Sequence, residues 1–193
     1  MAAPIVLASS SRFRRELLGR LRLAFEAVTP HVDETPLPNE TPEQLARRLA
    51  VAKAQAVAAS RPTALVIGSD QVAVYDGTIV GKPQDHADAV KQLRAASGRK
   101  VVLYTGLALI NSAAGRIQSD VVPFGIHFRK LTDVQIENYL RREQPYDCTG
   151  SVKSEGLGIA LLERFDGDDP NALIGLPLIR LVRMLEAEGV AVV

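Results

Sequence analysis

The sequence has few of the residues that form disulfides and zinc sites. Its 193 residues include one cysteine, three histidines and no tryptophan. A single cysteine, Cys148, excludes an internal disulfide, and the histidines leave no cluster of imidazole or thiolate ligands for zinc. Any metal ion bound by this chain should therefore be held by oxygen atoms.

An excess of one sign of charge is also missing. Lys and Arg number 23 and Asp and Glu number 22, so the net charge is +1. A protein with so little net charge has no long-range field that attracts a nucleic acid polymer, and an anionic ligand must be bound by local basic groups. We therefore expect no nucleic acid partner.

The chain has no long hydrophobic run. Residues 4–8 are apolar but too few for the core of a signal peptide, and Arg12 follows soon after. No run approaches the roughly 20 residues of a membrane span. We expect no membrane association and a cytoplasmic location.

Two nucleotide-binding motifs are absent as well. There is no Gly-x-x-x-x-Gly-Lys-Ser/Thr and no Gly-x-Gly-x-x-Gly, which argues against P-loop and dinucleotide-binding folds. The sequence also contains no internal repeat, low-complexity tract or linker. We interpret residues 1–193 as one domain, long enough for one core or two closely joined lobes.

Helical and strand patterns alternate along the chain and predict an α/β fold. Two hairpins, one of them at Asp76-Gly77, require antiparallel pairs, so the sheet should be mixed. The predicted strands cover residues 4–8, 64–74, 78–80, 101–111, 117–129 and 159–163. Helices are predicted to follow Ser11, Thr41, Asp85, Thr132 and Pro177. The first four of these positions hold favourable N-cap residues.

Helical spacing predicts the buried faces of two helices. The predicted buried positions are Leu45, Leu49, Ala52 and Ala56 in the helix after Thr41, and Leu178, Leu181, Val182 and Leu185 in the last helix. Lys53 lies at the border of the first of these stripes. Its ammonium group could lie against the core, reach across a cleft or extend into water.

Asp70 interrupts a markedly apolar stretch of the chain, Ala64–Val74. A strand with aliphatic residues on both sides is typically buried on both faces. A buried carboxylate is unfavourable unless it is paired, hydrogen-bonded or bound to a metal ion, so this position indicates a functional site. The alternative is an aspartate at a strand end or bulge that Gly68 and Ser69 turn outward.

Three arginines follow a run of serines at residues 9–11. Arg12, Arg14 and Arg15 occupy the first turns of a predicted helix, where acidic side chains are normally favoured. Serine hydroxyls and unpaired N–H groups beside these arginines indicate a site for an anion. The alternative is a solvated basic face next to an ordinary serine cap.

Loops contribute further candidates. Glu34 lies in a proline-rich loop, Lys82 is restricted between glycine and proline, and the glycine-rich loop 148–158 contains Lys153 and Glu155. Loops of this kind are often functional. The alternatives are that Asp33 and Glu34 are a solvated acidic pair and that Gly81-Lys82-Pro83 is a plain turn.

Together these residues fit metal-assisted phosphoryl chemistry, in which a protein positions a polyphosphate and neutralises developing charge. The two acids are Glu34 and Asp70. The donors are Ser9, Ser11, Arg14, Arg15, Lys53, Lys82 and Lys153.

The chain also resembles a known family. Seven motifs match, in order, those of the Maf family of nucleoside triphosphate pyrophosphatases: Ala8–Leu18, Val32-Asp-Glu34, Lys53-Ala, Gly68-Ser-Asp-Gln71, Gly81-Lys-Pro83, Thr149–Gly156 and Asn171–Pro177. They span nearly the whole chain, and seven motifs in order are far more specific than any single one. One departure is Arg12, where relatives usually have proline.

Three positions resemble the branch of this family that acts on 7-methyl-GTP. They are Phe13, Gln71 and Glu155. The resemblance implies hydrolysis of that nucleotide to the monophosphate and pyrophosphate. One alternative is a pyrimidine (dTTP or UTP) triphosphate pyrophosphatase. The residues at the three specificity positions argue against this alternative. The other is a nucleotide-binding regulator of cell division without turnover, which would not need Asp70 beside the scissile phosphate.

The resemblance also implies an architecture and roles for the site residues. The fold would be an elongated mixed sheet flanked by helices, in two lobes with a cleft between them, and the protein would be a homodimer. Asp70 would act as general base and, with Glu34, would hold Mg²⁺ or Mn²⁺. Phosphates would be bound by Arg14, Lys53 and Lys82. Further substrate contacts would come from Ser9, Ser11, Phe13, Arg15, Gln71, Lys153 and Glu155. Without the resemblance, Phe13 in the core and Glu155 in solvent would be the preferred interpretation.

Overall fold

The fold is a seven-stranded mixed sheet with helices packed against it. The computed structural model describes residues 3–193. The strands are β1 (Ile5–Ala8), β2 (Phe25–Val28), β3 (Leu65–Tyr75), β4 (Thr78–Val80), β5 (Lys100–Asn111), β6 (Arg116–Phe128) and β7 (Leu162–Asp166). The helices are α1 (Arg12–Gly19), α2 (Pro42–Ala58), α3 (His86–Ala96), α4 (Asp133–Glu143), α5 (Pro170–Ile174) and α6 (Leu178–Ala187). Two short 3₁₀ turns, Thr149–Ser151 and Leu157–Leu161, precede β7.

The sheet has the strand order β2-β1-β3-β5-β6-β7, with β4 paired to β3. Strand β1 is parallel to both β2 and β3, whereas β4 is antiparallel to β3 and β7 is antiparallel to β6. The hairpin predicted at Asp76-Gly77 pairs Tyr75 with Thr78. The α/β class and the mixed sheet, both predicted from the sequence, are therefore confirmed.

The chain divides into two compact units. The first unit consists of the chain up to Asp70, together with Thr105–Val122 and Asp169–Val193. The second unit consists of Gln71–Tyr104 and Pro123–Asp168.

In the first unit, strand β1 and the start of β3 are buried on both faces. Alternate side chains of a strand point to opposite faces. Leu7 and Ile67 accordingly pack in one apolar cluster, with residues of α1 and α6, while Val6 and Val66 pack in another, with residues of α2. The burial on both faces that the apolar stretch predicts is confirmed.

In the second unit, α3 and α4 pack against each other. Both helices begin at the predicted N-caps, since the Asp85 side chain accepts the N–H of Asp88 and Thr132 forms a capping box with Gln135. Helix α4 also ends before Pro145, as predicted. These caps fix where each helix begins, and with it which side chains face the sheet.

Helix α2 begins at the predicted capping box, in which Thr41 and Gln44 exchange hydrogen bonds. Its buried face differs from the predicted stripe, because Ala56 is exposed and Ala52 is only half-buried. The buried residues are Leu45, Ala46, Leu49, Ala50, Lys53, Ala54 and Val57. The small alanines let the helix approach the sheet closely, so the contact face is rotated toward them and away from Ala56.

The predicted start of the last strand is also wrong. Strand β7 begins at Leu162 rather than at residue 159, because the chain first forms the 3₁₀ turn Leu157–Leu161. The N–H groups of Gly156 and Gly158 both bond to the carbonyl oxygen of Lys153. This folded-back segment cannot pair in the sheet until it has passed Leu161.

Two short elements, β2 and α5, were not predicted, and the buried face of α6 differs at one position from the predicted one. Strand β2 has 4 residues and helix α5 has 5, too few to show a clear hydrophobic period. In α6, Met184 is buried and Val182 is only half-buried. Methionine fills an irregular gap more readily than a branched side chain does.

Candidate active site

Asp70 is buried within β3 rather than turned outward at a strand end. Its residue exposure is 8%, and β3 continues for five residues beyond it to Tyr75. The alternative of a solvated aspartate at a bulge is therefore wrong. A carboxylate at such a position needs a partner.

The partner of Asp70 is Lys53. The Nζ atom of Lys53 lies 2.5 Å from Oδ1 of Asp70 and 2.6 Å from Oε1 of Glu34. Lys53 is 7% exposed, so its ammonium group does not extend into water. The three residues, which we call the carboxylate–lysine triad, bring two carboxylates to one cation.

Two glycines place Lys53 over the sheet. A β-carbon on Gly68 of β3 would lie 2.1 Å from the carbonyl oxygen of Ala50, and one on Gly106 of β5 would lie 2.1 Å from that of Ala46. No real side chain tolerates such contacts, so glycine at both positions lets the backbone of α2 rest on the two strands. Lys53 belongs to the next turn of this helix.

Glu34 reaches the triad from the loop between β2 and α2, and its side chain is 59% exposed. The loop is fixed by a neighbouring ion pair, in which Nε and Nη2 of Arg48 donate to Glu40 at 2.6 and 2.9 Å. Arg48 also donates to the carbonyl oxygen of Thr35. The Arg48 guanidinium lowers the pKa of Glu40 to about 2. Glu40 and Arg48 thus support Glu34, although neither was a sequence candidate.

The serines before α1 organise its N-terminus. Ser11 is the N-cap and accepts the N–H of Arg14 at 3.4 Å, while Ser9 accepts the N–H of Ser11 at 3.1 Å. Ser9 is buried and Ser11 is half-buried. Each hydroxyl can donate its own hydrogen as well as accept, so both can also bind an anionic oxygen.

Arg14 faces the triad from α1. Its Nε donates to the carbonyl oxygen of Gly175 at 2.8 Å, and that oxygen also accepts the hydroxyl of Ser69 at 2.9 Å. Burial lowers the pKa of Arg14, and the charges of Asp70 and Glu34 raise it. The guanidinium is therefore fixed by its bond to Gly175 and lies within electrostatic range of both carboxylates of the triad.

The neighbours of Arg14 on α1 are more exposed. Arg15 is exposed, and Phe13 is half-buried rather than packed in the core. The guanidinium carbon of Arg12 lies 4.7 Å from the centroid of the Phe13 ring, within the range of a cation–π contact. The ring of Phe13 is thus already in contact with a cation.

In the second unit, Lys82 is exposed on a turn that is tied to another loop. The carbonyl oxygen of Gly81 accepts the N–H of Gly150 at 3.1 Å, and the hydroxyl of Ser151 donates to Oε1 of Gln92 at 2.6 Å. Gln92 in turn donates toward Gly81 at 3.5 Å. Two of the sequence motifs, the one with Lys82 and the one after Cys148, are therefore joined to each other and to α3.

The glycine-rich loop of the second unit presents Glu155 to solvent. Lys153 is half-buried and its Nζ lies 2.7 Å from Oε1 of Glu143, which also accepts the N–H of Leu157 at 2.6 Å through Oε2. The pKa of Glu143 is lowered by these two contacts. Gln71, which follows Asp70 on β3, is half-buried.

Four candidates therefore converge in the first unit: Glu34, Lys53, Asp70 and Arg14, with Ser9 and Ser11 at the start of the same helix as Arg14. In the second unit, Lys82 lies on one turn, and Lys153 and Glu155 lie on one loop. Sequence reasoning missed Glu143. A glutamate in the last turn of a helix opposes the helix dipole, and that signal could have identified it.

Two of the three triad side chains, Glu34 and Asp70, carry the oxygen donors that a hard cation prefers. Among residues 3–193, no group of three or more His, Cys, Asp or Glu side chains could hold a metal ion by itself. Two carboxylates that already share one cation can share another, and Mg²⁺ or Mn²⁺ commonly takes one or two carboxylates together with waters and substrate phosphates. Glu34 and Asp70 fit a cation that binds together with a polyphosphate.

None of the helices in the described part of the chain is both long enough and apolar enough to cross a membrane.

Comparison with known proteins gives matches over nearly the whole chain. Residues 4–188 match the model of the Maf-like protein family. Proteins called 7-methyl-GTP pyrophosphatase from Nitrosococcus oceani and Polaromonas sp. are each 60% identical to this chain. The first match covers 96% of this chain and 93% of the relative, and the second covers 97% and 86%. A relative of the same name from Methylobacillus flagellatus is 55% identical over 98% of this chain and 99% of its own.

Among solved structures, the Staphylococcus aureus Ham1 protein aligns with 66% of this chain and 72% of its own, at 14% identity and a TM-score of 0.48. The family model covers almost the whole chain, and the three relatives match 96–98% of it. The resemblance seen in the seven motifs is confirmed, and the chain belongs to the Maf-like protein family.

Proposed function

We propose that this protein hydrolyses a nucleoside triphosphate, 7-methyl-GTP, to the monophosphate and pyrophosphate. The observation that carries the proposal is the carboxylate–lysine triad, a buried aspartate held by a buried lysine in a family of pyrophosphatases. The names of the relatives at 54–60% identity support the choice of nucleotide.

Asp70 is the proposed general base. A carboxylate oxygen can accept a proton from a water molecule that is placed within hydrogen-bonding distance of it. An oxygen of Asp70 would accept a proton from a water molecule while the oxygen of that water forms a bond to the α-phosphorus. The bond from the α-phosphorus to the bridging oxygen breaks, and pyrophosphate leaves with that oxygen.

The cations of the site would hold the phosphates. Arg14 and Lys53 carry positive charge beside Asp70, and Lys82 supplies a third charge from an exposed turn. Because charge spreads over the phosphoryl oxygens during such a reaction, fixed cations stabilise the transition state more than the ground state. The hydroxyls of Ser9 and Ser11 would add neutral donors, and Arg15 and Lys153 would make further contacts.

A divalent cation is part of the proposal. Glu34 and Asp70 would hold Mg²⁺ or Mn²⁺, which would offset the negative charge of the phosphates. Lys53 lies 2.5 and 2.6 Å from these same two carboxylates, so it would share them with the metal ion.

The methylated base explains why an aromatic residue and an acid would both be needed. Guanine methylated at N7 carries a delocalised positive charge, and a cation over an aromatic face gains about 0.5–2 kcal/mol. Phe13 would supply that face. The base also presents two adjacent N–H donors, which the exposed carboxylate of Glu155 can accept as a charge-assisted pair, and Gln71 would add one polar contact.

A product assay tests the proposal. Purified protein is incubated with 7-methyl-GTP, GTP, dTTP or UTP, with Mg²⁺, with Mn²⁺ or with EDTA, and released pyrophosphate and monophosphate are measured. We expect the highest kcat/KM for 7-methyl-GTP, loss of turnover in EDTA, and equal amounts of the two products. The Asp70→Asn variant serves as the inactive control.

The other outcomes separate the alternatives. A preference for dTTP or UTP would contradict the base assignment but not the chemistry. Nucleotide binding without any product would contradict the enzyme and leave a binding protein. Full activity in EDTA would contradict the role of the metal. A homodimer and a cytoplasmic location stay predictions, and gel filtration with light scattering tests the first of them.

A further inference from the structure

Two residues of α4 hold the loop that carries Glu155. The N–H of Lys153 donates to the hydroxyl oxygen of Tyr139 at 2.9 Å, and the carboxylate of Glu143 binds both Nζ of Lys153 and the N–H of Leu157. Tyr139 and Glu143 are four residues apart and therefore lie on one face of the helix. Together they form what we call the loop clamp.

The clamp is closely fitted. A β-carbon on Gly156 would lie 2.7 Å from Oε2 of Glu143, so the glycine makes room for the carboxylate. The side chain of Glu143 is 12% exposed, and its charge is balanced by Lys153. The carbonyl oxygen of Lys153 closes the turn by accepting the N–H groups of Gly156 and Gly158.

Glu155 is the one charged residue of this turn that is exposed to solvent, since Lys153 is half-buried and paired with Glu143. The backbone N–H of Lys153 is held by the Tyr139 hydroxyl and that of Leu157 by the Glu143 carboxylate, so the chain is tied on both sides of Glu155. Exposed glutamates ordinarily sample several rotamers, and a fixed backbone restricts where the carboxylate can be placed. A base-recognition contact depends on this kind of pre-positioning.

We propose that Glu143 is a positioning residue that sets the nucleobase selectivity of the enzyme by holding the Glu155 loop. It does not itself contact the substrate. The inference rests on the proposed function, because it assigns the recognition of the base to Glu155. It extends that function to a residue that none of the seven motifs contains.

The test is a double-mutant cycle on selectivity. The ratio of kcat/KM for 7-methyl-GTP to that for UTP is measured for Glu143→Ala, Glu155→Gln and the double variant. A ratio measured on one preparation does not change when part of the protein is unfolded. We expect Glu143→Ala to lower the ratio at least about tenfold with little change for UTP. The double variant should then be no less selective than Glu155→Gln alone.

Two further variants guard against a purely structural effect. Glu143→Gln keeps an acceptor for Leu157 but loses the charge that binds Lys153, so it should fold and lose part of the selectivity. Glu137→Gln is the matched control, since Glu137 lies on the same helix and contacts His86 and Arg141 instead of the loop. It should keep the full ratio.

The outcomes are distinguishable. Unchanged selectivity in Glu143→Ala, or a full additional loss on top of Glu155→Gln, would overturn the proposal. If Glu155→Gln itself keeps the ratio, the assigned base recognition fails. The positioning role is then decided by hydrogen exchange at the amide of Leu157: faster exchange in Glu143→Ala supports it, and unchanged exchange overturns it.

Discussion

Gly68 and Ala50 are in backbone contact so close that a β-carbon on the glycine would lie 2.1 Å from the alanine carbonyl oxygen. This contact sets the distance between α2 and β3. The Lys53–Asp70 pair spans the same gap, at 2.5 Å between Nζ and Oδ1. Helix packing and the geometry of the triad therefore both depend on the absence of a β-carbon at Gly68, as at Gly106.

Gly68→Ala should accordingly damage stability and activity together. The extra methyl group must push α2 away, and overpacking of this kind costs about 1–3 kcal/mol. Urea unfolding and kcat measure the two effects. Gly19→Ala is the control, because a β-carbon there meets no atom within 4 Å. A Gly68→Ala variant as stable and active as that control would show that the gap is not fixed by this contact.

Asp70→Asn should keep the strand and remove the base. Loss of a positioned general base commonly lowers the rate by roughly 10²- to 10⁴-fold. Steady-state kcat with 7-methyl-GTP measures the change, and circular dichroism checks the fold. Asp76→Asn, at the exposed tip of the hairpin, should retain wild-type turnover. A folded Asp70→Asn variant with near-normal kcat would refute the assignment of Asp70.

Lys82→Ala should weaken binding or turnover of the triphosphate without lowering the stability of the fold. Its side chain is exposed on a turn, and exposed lysines contribute little to the free energy of unfolding. We expect a rise in KM or a fall in kcat, with Tm nearly unchanged. Lys91→Ala, an exposed lysine on α3, should change neither. A fall in Tm with intact kinetics per folded molecule would instead identify Gly81-Lys82-Pro83 as a structural turn.

Glu155→Gln should lower kcat/KM for 7-methyl-GTP by at least about tenfold, which corresponds to about 1.4 kcal/mol of transition-state binding. The amide cannot accept two N–H donors with the same strength as a carboxylate. Activity on UTP should change little, since uracil lacks that pair of donors. Glu163→Gln, another exposed glutamate of the second unit, is the control. An unchanged ratio of the two activities would exclude Glu155 from base recognition.

Glu188 should give the protein an acid-sensitive contribution to stability. Arg116, Asn111 and Gln118 donate to its carboxylate, and the pKa of Glu188 falls from 4.5 to about 2, chiefly through Arg116. A folded-state pKa below the unfolded value means that the stabilisation is present above about pH 4.5 and is lost as the pH falls toward 2.

Glu188→Gln should therefore be less stable at neutral pH, by roughly 1–3 kcal/mol. Its free energy of unfolding should also fall less steeply with acid. Urea titrations at several pH values measure both effects. Glu186→Gln, on an exposed glutamate two residues earlier, should follow the wild-type curve. Parallel curves for wild type and Glu188→Gln would contradict the assignment.

Local chemistry made much of this fold predictable. Thr41 and Thr132 each form the capping box that the sequence predicts, and Asp76-Gly77 forms the predicted hairpin. These signals depend on residues within one turn of each other. The start of β7 was not predictable in the same way, because the 3₁₀ turn before it depends on backbone hydrogen bonds to Lys153.

The positions of the candidate site residues were predictable where a residue conflicted with its surroundings. Asp70 in an apolar strand and Arg14 at a helix N-terminus both contradict the usual preferences, and both lie at the triad. Lys53 could be placed only at a border, because its fate depended on which face of α2 meets the sheet. Glu143 was missed since its partners, Lys153 and Leu157, are ten and fourteen residues away along the chain.

The contact between Arg12 and Phe13 would make base recognition on that face of the ring an exchange. The Arg12 guanidinium carbon lies 4.7 Å from the ring centroid, so a methylated base stacking on the same face would have to displace the arginine. The cationic base would replace the Arg12 guanidinium on the ring. Only the difference in free energy between these two cation–π contacts would contribute to affinity. A neutral base would have to displace the arginine without bringing a charge of its own. An uncharged base would therefore break the favourable contact between Arg12 and the ring without forming a cation–π contact in its place.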